Sequence, residues 1–359
     1  MSHPMRVVFT GGGTAGHVTP NLALIAVLQQ EGAVISYVGS ADGVEKPLVR
    51  EAGVPFYAVK SGKLRRYFSW KNVFDPLNIV VGIWQSFWLL RRLKPDLLFS
   101  KGGFVAFPVV VGAWLNRIPI VAHESDFTPG LANRLSFPFV KTLCVTFSES
   151  KKHISPLDKV VVTGTPIRED LFHGDKARGL QRCGFLEDLP CLLVMGGSQG
   201  AEILNACVRD SLGPLCARFQ IIHVCGEGKV SDRFKNQARY CQIGYAKGEL
   251  ADYYAASDLV ISRAGANSVC EILALAKPHI FIPLSVRASR GDQIQNARYF
   301  EEQGLSIVVP EETLSTATLM AAIDKVVAND GAIRKKLKAL GLDTGTENIL
   351  QLIRKIAHA

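Results

Sequence analysis

Short runs of apolar residues alternate along the chain with longer segments in which apolar residues recur at helical spacing. Runs of this length predict buried strands, and the helical spacing predicts the helices that join them. In the first half we predict a helix from about Pro20 to Gln30 and strands at Arg6–Thr10, Val34–Val38, Leu97–Ser100, Ile118–His123 and Thr142–Phe147. Because strands joined by helical crossovers run parallel and are covered on both faces, the pattern indicates an α/β fold.

The same pattern begins again in the second half. We predict a helix that begins over Ala201–Cys207 and strands at Cys191–Met195, Gln220–Cys225, Leu259–Ser262 and His279–Pro283. Between the halves, Thr-Gly-Thr-Pro within Thr163–Arg168 interrupts regular structure. A length of 359 residues also suits two domains. We therefore predict domains over 1–165 and 166–343, followed by a C-terminal helix over about 344–359.

Composition narrows the class of partner. The formal net charge is +9 at pH 7, which favours anionic partners such as nucleic acid, phosphates or an anionic membrane. The eight cysteines form no Cys-x-x-Cys pair and lie mostly in apolar runs, which indicates reduced thiols in a cytosolic protein. The longest apolar stretches, 79–90 and 104–115, are each about a dozen residues, whereas a spanning helix needs about 20. Membrane contact is therefore expected to be peripheral.

The first glycine loop, Gly11-Gly-Gly-Thr-Ala-Gly16, follows a predicted strand and precedes a predicted helix. Glycines let the backbone approach phosphate oxygens, and the helix end presents amide hydrogens and the positive end of its dipole. Dinucleotide oxidoreductases share this spacing and are one alternative. Against them, His17 stands where such helices have a small apolar residue, and Val38-Gly-Ser40 lacks the carboxylate that binds ribose. A histidine at a helix entrance suits proton transfer.

The second glycine loop, Gly196-Gly-Ser-Gln-Gly200, contains Gly-x-Ser-x-Gly, the pattern of a hydrolase nucleophile elbow. Ser198, Asp258 and His279 occur in the hydrolase order, but His279 begins a predicted strand, which is a poor place for a triad base. The simpler interpretation is that Ser198 and nearby amides bind a diphosphate at a helix N-terminus. A glycine loop in each half favours a site between two domains.

A basic and aromatic segment, Lys63-Leu-Arg-Arg-Tyr-Phe-Ser-Trp70, precedes a predicted amphipathic helix. Cations and tryptophans beside an apolar face suit an anionic bilayer surface. The alternatives are a core helix with a solvated basic end, and nucleic-acid binding, for which the sequence holds no recognised motif. The helix carries apolar residues at helical spacing and ends in two arginines: Ile79, Ile83, Trp84, Phe87, Trp88, Arg91 and Arg92.

The chain resembles the MurG family, the UDP-N-acetylglucosamine transferases that complete lipid II in peptidoglycan synthesis. The resemblance implies a GT-B glycosyltransferase fold, with two Rossmann-like doubly wound parallel-sheet domains around a cleft. It also implies that the C-terminal helix packs back on the acceptor- and membrane-binding N-terminal domain, and that 166–343 binds the UDP-sugar. The motifs that carry it span most of the chain in the family's order: Gly11–His17 (GGGTAGH), Lys101–Phe104 (KGGF), His123–Asp126 (HESD), Gly164–Arg168 (GTPIR), Gly196–Ala201 (GGSQGA), Ser262–Ala266 (SRAGA) with Glu271, and Asp292–Ala297 (DQIQNA).

The resemblance implies an inverting transfer of N-acetylglucosamine from UDP-N-acetylglucosamine to the 4-hydroxyl of the muramyl sugar of undecaprenyl-linked lipid I, which gives lipid II. No cofactor and no obligatory metal are implied, and the sequence holds no Asp-x-Asp. The expected partners are UDP-N-acetylglucosamine, lipid I, the anionic cytoplasmic face of the bacterial membrane, and other cell-wall synthesis and division proteins, without nucleic acid. A glycolipid glucosyltransferase or a UDP-N-acetylglucosamine epimerase on the same fold is the alternative.

Carried over to this sequence, the resemblance gives candidate residues for three roles. His17 and Asp126 are the candidate catalytic residues, with His17 as acid/base; the alternative for His17 is a structural histidine. The candidate acceptor or membrane residues are Gly102, Gly103, Lys63, Arg65, Arg66, Trp70, Trp84 and Trp88. The candidate donor-binding residues are Gly13, Thr14, Gly16, Arg168, Gly197, Ser198, Gln199, Gly200, Ala246, Ala266, Asn267, Ser268, Glu271, Asp292 and Gln293.

For some candidate donor-binding residues, the chemistry of the side chain explains the role. The carboxylate of Glu271 would accept two hydrogen bonds from the ribose diol; its alternative is a solvated helix position. The guanidinium of Arg168 would offset charge that grows on the leaving UDP; its alternative is a surface charge at the domain join. Asp292 and Gln293 would bind sugar hydroxyls, and Asn296 would cap or support their loop.

The sequence departs from the family's common pattern at three places. Ala15 stands where glycine is common, which narrows the backbone freedom of the first loop. Asp126 stands where asparagine is common, and an ionised carboxylate accepts hydrogen bonds but cannot donate them. Asp292 replaces a histidine before Gln293.

Overall fold

The structure, a computed structural model, describes residues 3–62, 71–197, 200–286, 291–341 and 344–358, without the side chains of residues 71–74. The chain divides into two compact units. The first consists of Met1–Arg168 with Thr344–Ala359, and the second consists of Glu169–Asp343. Six of the predicted site residues lie outside the described residues: Lys63, Arg65, Arg66, Trp70, Ser198 and Gln199.

The sheet of the first unit is built from short apolar strands. In the described residues they are β1 (Arg6–Thr10), β2 (Val34–Gly39), β3 (Phe56–Ala58), β4 (Leu97–Ser100), β5 (Ile120–Glu124), β6 (Thr142–Val145) and β7 (Val160–Val162). All neighbouring strands pair in parallel, in the order β3-β2-β1-β4-β5-β6-β7. The inner strands are buried along nearly their whole length, as parallel strands covered by helices on both faces must be.

Helices cover both faces of this sheet. They are α1 (Thr19–Gln30), α2 (Glu45–Glu51), α3 (Lys71–Leu93), α4 (Ala106–Leu115) and α5 (Leu131–Ser136). Alternation along β1 divides the core into two layers, because successive side chains of a strand point to opposite faces. Val7 and Phe9 pack with Leu24 of α1, and Val8 packs in the other layer with Val109 of α4.

The second unit repeats this plan. Its strands are β8 (Cys191–Met195), β9 (Gln220–Val224), β10 (Tyr240–Ile243), β11 (Leu259–Ser262), β12 (His279–Phe281) and β13 (Ile307–Val308). They pair in parallel in the order β10-β9-β8-β11-β12-β13. The helices are α6 (Lys176–Arg182), α7 (Glu202–Asp210), α8 (Leu212–Cys216), α9 (Leu250–Ala256), α10 (Ala266–Ala274), α11 (Asp292–Glu302), α12 (Thr316–Ala328) and α13 (Asp330–Ala339).

The last helix, α14 (Gly345–Ala357), packs on the first unit. Its apolar face, with Ile349, Leu350 and Ile353, joins the same core layer as α1. At the surface, Nη2 of Arg354 pairs with Oε1 of Glu31, 2.5 Å away, which fixes α14 beside the end of α1.

The predicted α/β class and doubly wound parallel sheets are confirmed, and every predicted strand is present with bounds that differ by at most two residues. β5, for example, begins at Ile120, after Pro119. Four strands were not predicted: β3, β7, β10 and β13. They are the edge strands of the two sheets and have only two to four residues each, too few to show a clear local pattern.

Candidate active site

The order of the strands in each sheet determines where the glycine loops lie. β1 lies between β2 and β4, and β8 lies between β9 and β11, so the order of the strands reverses at these two points. In a doubly wound sheet, ligands bind outside the carboxyl ends of the strands at such a switch point. The predicted motifs follow β1, β4, β8 and β11. Each unit therefore carries its glycine motifs at the position where this fold binds ligands.

The glycine turns after β1 and β4 contact each other. The amide of Gly12 donates to the carbonyl of Gly102 across 3.4 Å. Gly103 has φ +85°, and a Cβ on it would collide with the carbonyl oxygen of Gly12. Glycine at 103 is thus required twice, by the backbone conformation and by the close approach. The two predicted motifs consequently form one continuous surface at the switch point.

His17 and Thr14 lie together on this surface. Ala15–His17 forms a single 3-10 turn before α1, and Nδ1 of His17 is 3.0 Å from Oγ1 of Thr14. Thr14 and Gly16 are exposed and His17 is half-buried, so the loop borders solvent as a substrate-binding loop must. Ala15 adopts the 3-10 conformation, which any L-residue can take, so the structure accommodates this departure from glycine without strain.

The loop after β5 is organised by a buried carboxylate. Glu124 accepts hydrogen bonds from the amides of Asp126 and Gly130, at 3.0 and 2.8 Å, and from Nδ2 of Asn133 at 3.0 Å. Three donors satisfy the buried charge. Asp126 itself is half-buried at the same edge of the sheet as the two glycine turns. The candidate catalytic residues His17 and Asp126 are therefore both on carboxyl-end loops of the first sheet.

Arg168 is the last residue of the N-terminal segment of the first unit and is half-buried. It follows an extended segment that is tied to the C-terminal helix, since the hydroxyl of Thr346 accepts from the amide of Ile167 and donates to its carbonyl, both at 3.0 Å. The backbone before Arg168 is thereby fixed by hydrogen bonds to a distant part of the sequence.

The glycine loop of the second unit lies between β8 and α7. Gly200 has φ +67°, and a Cβ on it would collide with the carbonyl oxygen of Cys225, so only glycine fits. The same carbonyl accepts from Nδ2 of Asn205 across 2.8 Å. Gly197 is exposed and Gly200 is half-buried. Gly200 thus packs against the residue that follows β9, and Gly197 faces solvent, as residues of a phosphate-binding loop would.

The buried His223 holds the side chain of Asn205 in place beneath the glycine loop. Nε2 of His223 lies 3.0 Å from Oδ1 of Asn205, and its Nδ1 lies 2.8 Å from the hydroxyl of Tyr240. Burial, with a smaller effect of the nearby Arg209 guanidinium, lowers the pKa of His223 to about 3. The ring is therefore neutral at physiological pH and acts as a structural hydrogen-bonding group.

The helix α10 presents a polar stripe. Val269, Cys270, Ile272 and Leu273 are buried against the unit, whereas Asn267, Ser268 and Glu271 are half-buried. Residues three and four apart share a helix face, so Glu271 lies beside Asn267 and Ser268. Ala266, which is buried, begins the helix after Gly265. These four predicted donor residues are brought together by one helix end.

The start of α11 adjoins the end of β11. Nδ2 of the buried Asn296 donates to the carbonyl of Ala264 across 3.1 Å, so Asn296 supports the loop. Oε1 of Gln293 accepts from the amide of Leu284 at 3.0 Å, which ties the helix to the segment after β12. Asp292 and Gln293 are both half-buried in the first turn of α11. Ala246 is half-buried in the segment after β10.

An exposed apolar face lies on the first unit. Trp84 and Trp88 on α3 are 57% and 62% exposed, and Phe87 contacts both rings edge-on, with centroid distances of 5.9 and 5.3 Å. Arg91 and Arg92 are exposed at the end of the helix. None of the helices in the described part of the chain combines the length and apolar character that a bilayer crossing requires. Other large exposed apolar residues of α3 and α4 are Leu77, Val80, Val81, Trp114 and Leu115.

Several buried polar residues around the site carried no clear sequence signal. Glu124 belongs to the HESD motif but had no assigned role, and Asn133, Asn205 and Glu45 had no predicted role either. The available signal for Glu124 was a charged residue at the end of an apolar strand. Glu45 offered none, because a glutamate at a helix start is ordinarily solvated.

Comparison with known proteins identifies the class. A model of the glycosyltransferase family 28 N-terminal domain matches residues 7–145, and one of the family 28 C-terminal domain matches residues 191–351. The structure superposes on the crystal structure of Acinetobacter baumannii MurG with a TM-score of 0.77 and 25% identity, covering 98% of this chain and all of that one. With its two doubly wound sheets, the protein is a glycosyltransferase of the GT-B fold.

Curated relatives identify the family. The UDP-N-acetylglucosamine--N-acetylmuramyl-(pentapeptide) pyrophosphoryl-undecaprenol N-acetylglucosamine transferase of Legionella pneumophila strain Paris is 56% identical over 352 residues, 98% of this chain and 97% of that protein. The transferase of the same name from Clostridium botulinum strain Langeland is 48% identical over 350 residues, 98% and 99% of the two chains. The chain belongs to the MurG family of these transferases.

Proposed function

We propose that this protein transfers N-acetylglucosamine from UDP-N-acetylglucosamine to the 4-hydroxyl of the muramyl sugar of lipid I, with inversion, and so makes lipid II for peptidoglycan. The observation that carries the proposal is full-length identity of 56% to a transferase of that name. Its product supplies cell-wall synthesis, on which cell shape and division depend.

The chemistry is a single displacement. The acceptor oxygen attacks the anomeric carbon from the face opposite UDP, the bond from that carbon to the β-phosphate oxygen breaks, and UDP leaves as the anion. His17 accepts the proton of the attacking hydroxyl at Nε2, while Nδ1–H donates to Oγ1 of Thr14. Asp126, on the loop after β5, is the second candidate for this proton transfer. The ordering of His17 by Thr14 supports His17 as the first choice.

The donor binds mainly to the second unit. Amides of Gly197 and Gly200, with the predicted Ser198 and Gln199, hold the diphosphate where α7 begins. Preorganised amides and a helix dipole stabilise negative charge as it develops, and Arg168 adds a permanent positive charge. On the first unit, Gly13, Thr14 and Gly16 contact the donor from their exposed turn.

The remaining donor residues bind the nucleoside and the sugar of the donor. Glu271 binds the ribose diol, and Ala266, Asn267 and Ser268 line the nucleotide site at the start of α10. The backbone at Ala246 binds uracil. Asp292 and Gln293 bind the sugar hydroxyls from the first turn of α11.

The acceptor and the membrane bind to the first unit. Gly102 and Gly103 lie beside the loop of His17, which supports their proposed role in binding the acceptor sugar. The exposed tryptophans of α3 insert at the interface of the cytoplasmic membrane face, and arginines at the helix end contact anionic headgroups. Lys63, Arg65, Arg66 and Trp70, which lie outside the described residues, stay as predicted basic and aromatic membrane contacts. The protein is thus peripheral, with the other cell-wall synthesis and division proteins as neighbours.

The reaction as proposed needs no cofactor and no obligatory metal. The sequence offers no Asp-x-Asp to hold a metal-bound diphosphate. Arg168 and the helix-terminal amides supply the compensating positive charge. Turnover is expected to persist in the presence of a chelator.

The decisive experiment measures transfer of labelled sugar from UDP-N-acetylglucosamine to a short-chain lipid I analogue. We expect a labelled lipid II analogue, and much slower transfer from UDP-glucose. Binding of the nucleotide sugar to the protein is measured in parallel by calorimetry, with NAD as the control ligand.

Specific outcomes would contradict the proposal. Formation of an epimeric UDP-sugar, or of an epimeric free sugar by hydrolysis, without transfer would indicate the epimerase reaction. Preference for UDP-glucose with a different lipid acceptor would indicate a glycolipid glucosyltransferase. Binding of NAD without binding of the UDP-sugar would indicate an oxidoreductase.

A further inference from the structure

The first glycine turn rests on a buried carboxylate. Glu45 begins α2 and is 0% exposed. Its Oε2 accepts from the amide of Gly13 at 3.2 Å, and its Oε1 accepts from the amide and hydroxyl of Ser40 at 2.9 and 2.6 Å. One side chain therefore ties the loop after β1 to the loop after β2.

Three glycines without side chains make room for the Glu45 carboxylate. A Cβ on Gly12 would lie 2.5 Å from Cδ of Glu45, and one on Gly39 would lie 2.8 Å from its Cγ. A Cβ on Gly43 would come closer still to the carboxylate. Since a buried charge is tolerated only where donors surround it, these glycines let the backbone come close enough to supply them.

A second contact fixes the same turn at Gly11, two residues before Gly13. The hydroxyl of Tyr37 donates to the carbonyl of Gly11 across 2.7 Å, and it accepts from Nδ2 of Asn21 at 3.1 Å. Burial, with a smaller contribution from the Glu45 charge, raises the pKa of Tyr37, so its hydroxyl keeps the proton that it donates. The turn is thus fixed at Gly11 by Tyr37 and at Gly13 by Glu45.

The position of Gly13 constrains the next residues of the loop. Thr14 is bonded directly to Gly13, and its hydroxyl lies 3.0 Å from Nδ1 of His17. We propose that Glu45 is a positioning residue for the transfer reaction: through the Gly13 amide it sets where Thr14 and His17 lie. This inference rests on the proposed function, in which His17 accepts the acceptor proton.

The test replaces Glu45 by its isosteric amide. In Glu45→Gln, an NH2 group replaces one carboxylate oxygen and faces the Gly13 or Ser40 donors, so one hydrogen bond is lost. A small displacement of the turn lowers kcat for the lipid I analogue by on the order of 10- to 100-fold. The Kd for UDP-N-acetylglucosamine, measured by calorimetry, changes far less. Glu51→Gln, an exposed glutamate on the same helix, is the matched control and keeps the wild-type rate.

A double-mutant cycle separates positioning from general destabilisation. If Glu45 acts through His17, Glu45→Gln lowers kcat in the wild-type background but hardly changes it in His17→Ala. Equal losses in both backgrounds, full turnover by His17→Ala, or an unchanged kcat in Glu45→Gln would each overturn the proposal.

A milder variant is the test if Glu45→Gln does not fold. The wild-type assay distinguishes failure of this inference from failure of the proposed function. Should Glu45→Gln fail to fold, Ser40→Ala removes a single donor to Oε1, and its smaller loss of kcat must likewise vanish in His17→Ala. Absence of sugar transfer by the wild-type protein would instead contradict the proposed function, whatever the variants do.

Discussion

The ammonium of Lys101 lies 2.6 Å from Nδ1 of His123 in the interior of the first unit. An ammonium can only donate, so Nδ1 must accept and Nε2 must carry the ring proton. Nε2 accordingly donates to the carbonyl of Gly164 across 2.8 Å. Burial, reinforced by the Lys101 charge, lowers the pKa of His123 well below its usual range. The end of β5 is thereby joined to the segment that leaves the first unit.

Buried neutral histidines predict acid sensitivity. The pKa of His279 is lowered from 6.5 to about 4 by burial. The unfolded chain binds the proton below 6.5 and the folded protein does not, so stability is complete above 6.5 and falls as pH drops towards 4. For His279 the free energy of unfolding at pH 5 should be about 2 kcal/mol below that at pH 7. Urea denaturation at both pH values measures the total difference, to which the buried His123 and His223 add in the same direction.

The control compares a buried with an exposed histidine. His279→Gln should reduce the difference in unfolding free energy between pH 7 and pH 5, whereas His173→Gln, with a side chain 70% exposed, should leave it unchanged. Equal pH dependence in both variants would show that His279 does not contribute.

Gly103 should tolerate no side chain. Gly103→Ala combines a φ of +85° with a collision against the carbonyl of Gly12, and such strain costs about 1–3 kcal/mol. We expect a lower melting temperature and reduced sugar transfer, because the collision displaces the turn that precedes Thr14 and His17. The matched control is Gly53→Ala, which has a similar φ of +68° but meets nothing within 4 Å. Equal effects of the two substitutions would mean that backbone conformation alone matters.

Glu271 should control nucleotide affinity. In Glu271→Gln, one acceptor of the ribose diol is lost together with the charge, which should raise the Kd for UDP-N-acetylglucosamine about tenfold. Calorimetry measures the change, and circular dichroism checks the fold. Glu302→Gln, an exposed glutamate on α11, should bind like the wild type. An unchanged Kd for the Glu271 variant would place the ribose elsewhere.

The exposed tryptophans should drive membrane binding. Trp84→Ser with Trp88→Ser removes both exposed tryptophans of α3, so co-sedimentation with anionic phospholipid vesicles should fall about tenfold or more. Transfer to a water-soluble lipid I analogue should remain near the wild-type rate. As a control, Leu186→Ser with Val327→Ser removes two exposed apolar residues from the second unit and should not alter co-sedimentation. Unchanged vesicle binding by the tryptophan variant would contradict the membrane assignment.

The sequence by itself determined the inner strands, the glycine turns and the family. Strands such as Arg6–Thr10 and Cys191–Met195 are buried on both faces, so their apolar runs are continuous and local. The glycine turns are likewise recognised from a few adjacent residues. Motifs of four to seven residues can be compared with those of a family without knowledge of the tertiary structure. Edge strands such as Phe56–Ala58 were not predicted, because only three residues pair in the sheet and Pro55 interrupts the apolar run just before them.

Tertiary structure decided which polar groups support the site. Glu45 and Gly13 are 32 residues apart, and Glu124 and Asn133 meet across a loop, so neither contact follows from local periodicity. The pairing of β1 with β4 brings Gly103 against the carbonyl of Gly12, which explains the glycine at 103, and the Glu45 side chain explains the glycine at 12. A buried charge is stable only when its donors arrive from several segments, and the folded chain alone brings those segments together.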